Sequence, residues 1–176
     1  MKPKILITGP PRCGKSTLIS KLIVYYHQKN YKIFGFLTPE VRQKATRIGF
    51  DIEDIYSREK ARLARVGNYK TRFKLGKYHI FIEEFDQIIS KLESIEGKNV
   101  DIICLDEIGK MELFSKKFQE LIKKLFLSNM PILATIGQKL SHPIKDYILK
   151  IPEVVLFNLT RQNQQEIFQK IIVILK

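Results

Sequence analysis

Disulfide pairs, linkers and long apolar runs are all missing from this sequence. Its 176 residues include only two cysteines, Cys13 and Cys104. Two cysteines at that separation form neither a disulfide framework nor a metal-ligand spacing, and a reducing cytoplasm is the expected compartment. No apolar run exceeds the five residues of Leu22–Tyr26 and Ile171–Leu175. A membrane helix needs about 20, so no membrane span is expected. The apolar stretch near Met1 is too short for a signal peptide. No repeat, low-complexity tract or Pro/Gly/Ser linker divides the sequence, and one domain over residues 1–176 is expected, as a monomer. Acids are also scarce: 18 Asp and Glu stand against 31 Lys and Arg, a net charge of +13. Such a field draws anions, whether nucleic acid, acidic membrane surface or polyphosphate.

What is present alternates strand and helix. Lys4–Thr8 is a short apolar run stopped by Gly9-Pro10-Pro11. Ser16–Gln28 carries Leu18, Leu22, Ile23 and Tyr26 at helical spacing, and Lys32–Leu37 is a second strand. Helical patterns return at Glu83–Ser94, Phe114–Leu127, Pro143–Leu149 and Gln162–Leu175. Strands are expected at Val100–Leu105, Pro131–Ile136 and Val154–Leu159. This alternation predicts an α/β fold, with a mostly parallel sheet between two helical layers. The stretch from about 41 to 78 is different. Short apolar–polar alternations and turn residues predict an antiparallel β insertion. Between Arg42 and Lys77 it holds eleven basic and four acidic residues, so +7 of the +13 lies there.

The sharpest motif is Gly9-Pro10-Pro11-Arg12-Cys13-Gly14-Lys15-Ser16, a G-x-x-x-x-G-K-[ST] loop between a strand and a helix. Its backbone N–H groups and the following helix N-terminus cradle a β-phosphate. Pro10 and Pro11 have no N–H, so the donors are Cys13, Gly14, Lys15, Ser16 and Thr17. Lys15 is positioned to reach the β and γ oxygens, and Ser16 to hold Mg²⁺. Arg12 occupies a place where such loops commonly use glycine; its guanidinium either adds a cation near the phosphates or points to solvent. The second motif is Ile102-Ile103-Cys104-Leu105-Asp106-Glu107. An acid at a strand end serves the same metal, and Glu107 beside it is placed to orient or deprotonate the attacking water. Thr135, ending the next strand, either senses the γ-phosphate or is a strand former. His27, His79 and His142 are scattered without metal or triad spacing.

These residues give the chain a family likeness. It resembles the small broad-specificity nucleoside-triphosphatases of thermophiles, whose vertebrate member is called cancer-related nucleoside-triphosphatase. The likeness rests on Thr8-Gly9-Pro10-Pro11, Gly14-Lys15-Ser16-Thr17-Leu18, the run from Gly35 to Arg42, Arg47-Ile48-Gly49-Phe50-Asp51, Arg65-Val66-Gly67 and Gly76-Lys77-Tyr78. The most specific stretch is Asp106-Glu107-Ile108-Gly109-Lys110-Met111-Glu112-Leu113-Phe114. The resemblance implies a P-loop NTPase of RecA/AAA-like type, with Mg²⁺-dependent hydrolysis of ATP, GTP, CTP and UTP. Two positions depart from the family pattern: Arg12, and the C-terminal Thr-x-x-Asn-Arg, which reads Thr160-Arg161-Gln162-Asn163-Gln164 here. Asn163 either touches a base or ribose or bonds its own backbone. Arg42 and Arg47 either stabilise γ-phosphate charge or pair with Glu40, Asp51 or Glu53.

Two rival functions remain at this level. A nucleoside or polynucleotide kinase uses the same loop, with the basic Arg58–Lys77 segment as a lid. An ATP-driven nucleic-acid-binding module would use the charge as its footprint. Nucleic acid is not indicated by any motif, because lysines such as Lys116, Lys117, Lys123 and Lys124 sit on helix faces as solvated charges do.

Overall fold

A computed structural model describes residues 1–95 and 98–176. Five strands run parallel: β1 (Lys4–Thr8), β2 (Ile33–Leu37), β8 (Ile102–Ile108), β9 (Ile132–Ile136) and β10 (Val154–Asn158). They stand in the order β10-β1-β9-β8-β2. β1 and β9 are buried at every residue, as expected of parallel strands covered on both sides.

The two-residue strand period sorts the core into two layers. Leu6, Ile103 and Leu105 face one way. They pack with α2 (Ile82–Glu93), α3 (Lys116–Leu127) and α4 (Pro143–Leu149). Ile5, Ile7, Ile102 and Cys104 face the other way, against α1 (Lys15–Gln28) and α5 (Gln164–Ile174). Burying apolar surface against both faces of the sheet supplies most of the driving force for folding.

The insertion is antiparallel and extends the same sheet. It comprises β3 (Glu40–Gln43), β4 (Thr46–Asp54), β5 (Lys60–Val66), β6 (Phe73–Leu75) and β7 (Tyr78–Ile80). β4 pairs with the end of β2, and the order continues β4-β5-β7-β6, with β3 folded back on β4. The ten strands therefore form one sheet, parallel at one end and antiparallel at the other.

Of the boundaries that differ from the sequence expectation, two matter most for the site. The strand expected to stop at Leu105 continues to Ile108 and carries Asp106 and Glu107 within it. Its pairing with β9 shifts register between Leu105 and Ile108, and the Asp106–Glu107 peptide is cis. The helix expected from Phe114 begins at Lys116. A 3₁₀ turn at Glu112–Phe114 precedes it, and Ser115 caps it by accepting the Phe118 N–H at 2.9 Å.

Candidate active site

Parallel strands deliver their C-terminal ends to one edge of the sheet, and α/β proteins hold ligands there. At that edge lies a cleft of about 600 Å³. Gly9, Pro11, Lys15 and Ser16 of the loop and helix line it together with Asp106 and Glu107. Thr38, Glu40, Lys110, Glu112, Gln138 and Lys139 add further polar groups, and the apolar lining is Leu37, Pro39, Phe50, Leu75, Met111 and Leu140. Two of these, Phe50 and Leu75, come from the basic insertion.

The phosphate loop is a tight turn opening α1. Gly14 sits in the left-handed region at φ 99° and serves as the helix N-cap. Arg12 also adopts a left-handed conformation, φ 61°, so the loop keeps the path a glycine would take and the arginine tolerates it. Its side chain is exposed and outside the cleft lining. Lys15 donates its ammonium to the Gly9 carbonyl at 3.1 Å, which holds the side chain across the mouth of the loop.

Asp106 lies at the centre. It pairs with Leu37 across β2, and Thr38 donates its hydroxyl to the Asp106 carbonyl at 2.9 Å. Thr135, fully buried on β9, donates to the Asp106 carboxylate at 2.5 Å, and the Ser16 hydroxyl lies beside the same carboxylate. Burial pushes the Asp106 carboxyl up. The Thr135 and Ser16 hydroxyls and the Lys15 charge oppose that rise without cancelling it. Glu107 is raised for the same first reason, burial, with Lys15 opposing and Asp106 reinforcing.

Ser16 and Asp106 together present hard oxygen donors in mutual contact. That set suits a small divalent cation whose remaining positions are filled by phosphate oxygens and water. Among the described residues, no group of three or more His, Cys, Asp or Glu forms a metal cluster by itself.

Sequence reasoning passed over a third carboxylate. Glu112 is 5% exposed, lines the cleft and is pushed up to about 8, chiefly by burial and then by the Glu107 charge. Gly109 makes room for it. A Cβ there would stand 2.7 Å from Glu112 Oε2 and 3.0 Å from Glu107 Oε1. Glu112 stood within the most family-specific stretch, yet no spacing marked it as part of the site. Only the 3₁₀ turn swings it back over the end of β8.

The remaining candidates lie apart from these groups. Arg42 and Arg47 both bind Glu40, through Arg42 Nε at 3.0 Å and Arg47 Nη1 at 3.0 Å, and Arg47 Nε donates to the Tyr78 hydroxyl at 3.0 Å. Glu40 lines the cleft; the two arginines do not. Asn163 is engaged in its own turn: Oδ1 accepts the Thr160 N–H at 2.8 Å, and Nδ2 donates to the Asn158 carbonyl at 2.9 Å.

β9 stands between β1 and the acid-bearing β8, yet the loop after β1 and the carboxylates of β8 meet over one cleft. That arrangement defines the class, a P-loop NTPase fold. The chain belongs to the NTPase family, whose model matches residues 4–172. Nucleoside-triphosphatase THEP1 of Methanocaldococcus jannaschii is 36% identical over 169 residues, covering 96% of this chain and 95% of that protein. The cancer-related nucleoside-triphosphatase homolog of Mus musculus is 32% identical over 187 residues, covering 100% and 98%. The crystal structure of THEP1 from Aquifex aeolicus superposes with a TM-score of 0.82 at 32% identity, covering 98% of this chain and 99% of that one. No helix among the described residues is long and apolar enough to cross a membrane.

Proposed function

We propose that this protein hydrolyses nucleoside 5′-triphosphates (ATP, GTP, CTP and UTP) to diphosphate and phosphate. The observation that carries the reading is the convergence of Lys15, Ser16, Asp106 and Glu107 on one cleft. Its relatives are named nucleoside-triphosphatases, which agrees with it. The Cys13 N–H, expected as a phosphate donor, is bonded to the Pro10 carbonyl at 3.2 Å; loop amides from Gly14 to Thr17 cradle the β-phosphate, and Lys15 exchanges the Gly9 carbonyl for β and γ oxygens. Ser16 and Asp106 would hold Mg²⁺, which when bound would supply neutralisation of charge on the terminal phosphates. Glu107 orients a water and takes its proton as the water oxygen bonds to the γ-phosphorus. The bond from that phosphorus to the bridging oxygen breaks, and the diphosphate leaves.

The C-terminal turn agrees with weak base discrimination. Thr160 and Asn163 satisfy one another and nearby backbone. They leave little hydrogen-bonding capacity to read a base edge. The unpaired, buried thiols of Cys13 and Cys104 suit a reducing compartment such as the cytoplasm.

The test is Glu107→Gln. Nucleotide binding is expected to persist while kcat falls by about 10²–10⁴-fold, the usual worth of a general base. Hydrolysis at the native rate would refute this mechanism. A second reading, transfer of the γ-phosphate to the hydroxyl of a nucleoside or polynucleotide acceptor, uses the same loop and the apolar side chains Phe50, Leu75 and Leu140 that line the same cleft. Label from γ-labelled ATP should appear as free phosphate in the first reading and on an added nucleoside or 5′-hydroxyl end in the second.

A further inference from the structure

The phosphate loop is not held by its own residues alone. Gln164, the first residue of α5, donates its side-chain Nε2 to the Cys13 carbonyl at 2.9 Å, across 151 residues of sequence. The contact requires a bare backbone on the loop. A Cβ on Gly14 would sit 2.4 Å from that same nitrogen, and Gly14 has the positive φ that disfavours a side chain there in any case. The turn carrying Gln164 is itself fixed. The Leu159 N–H bonds the Thr8 carbonyl at 2.7 Å, which ties the end of β10 to the end of β1. Asn163 bridges Thr160 and Asn158, and Thr160 Oγ1 accepts the Gln162 and Asn163 N–H groups at 3.3 Å each. The turn therefore presents one side-chain donor, from a braced base, to one loop carbonyl.

We propose that Gln164 is a positioning residue for nucleotide binding, which holds the Cys13 carbonyl outward so that the loop amides face the triphosphate. A peptide unit has its C=O and N–H on opposite sides. Fixing the Cys13 carbonyl toward α5 therefore turns the Gly14 N–H the other way and restrains the amides that follow. The loop meets the phosphates already ordered, so less conformational freedom is lost on binding. Such an effect acts on nucleotide affinity, and equally on the ground and transition states, because the β-phosphate is bound in both. The proposal rests on the reading that the loop holds the triphosphate.

The experiment compares Gln164→Glu, Gln164→Ala and Gln164→Arg with the native protein and with Lys15→Ala. A fluorescent ATP analogue reports Kd, and steady-state turnover reports KM and kcat. Glu keeps the size of the side chain but loses the donor; Arg keeps a donor. The Glu and Ala variants are expected to weaken Kd and raise KM by about three- to tenfold, the worth of one neutral hydrogen bond. Their kcat at saturation should stay within about twofold, with Arg close to native in all three constants. Native affinity in Gln164→Glu, a fall in kcat as large as the rise in KM, or failure of Arg to restore affinity overturns the proposal. Native binding by Lys15→Ala would instead remove the triphosphate reading beneath it, so the two failures are distinguishable.

Discussion

The two ends of the sheet use charge in opposite ways. The parallel end lines the cleft with three lysines, Lys15, Lys110 and Lys139, and three carboxylates, and it buries two of those carboxylates: Asp106 and Glu112 are 4% and 5% exposed. The antiparallel insertion holds more than half of the net charge, +7 of +13, and most of its cations are engaged. Arg42 and Arg47 pair with Glu40, Arg58 and Lys60 with Glu53, Arg62 with Glu84, and Arg65 with Asp51. Arg72 and Lys77 lie over the rings of Phe73 and Tyr78. To the cleft the insertion gives Glu40, paired with Arg42 and Arg47, and the apolar Phe50 and Leu75. Charge density therefore does not locate the chemistry. Carboxylates that are buried and also line the cleft do; Lys4, Glu53 and Asp54 are equally buried, but carbonyls, cations or a turn N–H outside the cleft offset their cost.

The contrast is broken most severely at the loop lysine. Lys15→Ala should weaken nucleotide binding at least about 100-fold, since a desolvated cation facing several phosphate oxygens is lost. Titration with a fluorescent nucleotide measures it. An unchanged Kd would mean that the positive insertion, not the loop, attracts the substrate.

Glu112 offers a sharper test through pH. Its folded-state carboxyl titrates near 8, against an ordinary value of 4.5. A raised value means that the native state favours the protonated form. Its contribution to stability is complete below about pH 4.5 and is lost as pH climbs through 8. Glu112→Gln stays neutral throughout. Denaturant melts should show the variant gaining on the native protein by roughly 2–4 kcal/mol between pH 5 and pH 9. A gap that does not change with pH would show that Glu112 is not held protonated.

Thr135→Val comes next. It keeps the shape of a fully buried side chain but removes the hydrogen bond to the Asp106 carboxylate. A loss of about 1–3 kcal/mol is expected, with kcat reduced more than in any single insertion variant. Melting and turnover of the same sample check both.

The smallest effect is expected on the insertion surface. Arg62 pairs with Glu84 at a site where both side chains reach solvent, 45% and 30% exposed. Arg62→Ala should cost under about 1 kcal/mol and leave kcat and KM within about twofold. A large kinetic effect there would give the insertion's charge a direct part in the reaction and collapse the contrast between the two ends.

Much of this was legible locally. The strand–loop–helix around Gly9–Ser16 needs only contiguous residues, and its boundaries fell within a residue of the expected ones. The insertion was visible as alternating short strands, although it begins at Glu40 rather than 41. Less legible were groups whose roles depend on distant partners. Thr38 matters because β2 pairs with β8. Glu112 matters because the chain turns back at Gly109. Gln164 matters because β10 lies beside β1 and brings the start of α5 over the phosphate loop.

The sequence by itself determined the α/β class, the phosphate loop, the paired acids of the central strand and the basic insertion. Each is written in periodicity or spacing over a short stretch of chain. Tertiary structure alone decided that most of the insertion's cations are engaged with acids and rings while two of its apolar side chains line the cleft. It also decided that a third carboxylate joins the two expected ones, and that a C-terminal glutamine grips an N-terminal loop. Those outcomes follow from sheet order and register, which bring together residues that no local pattern connects.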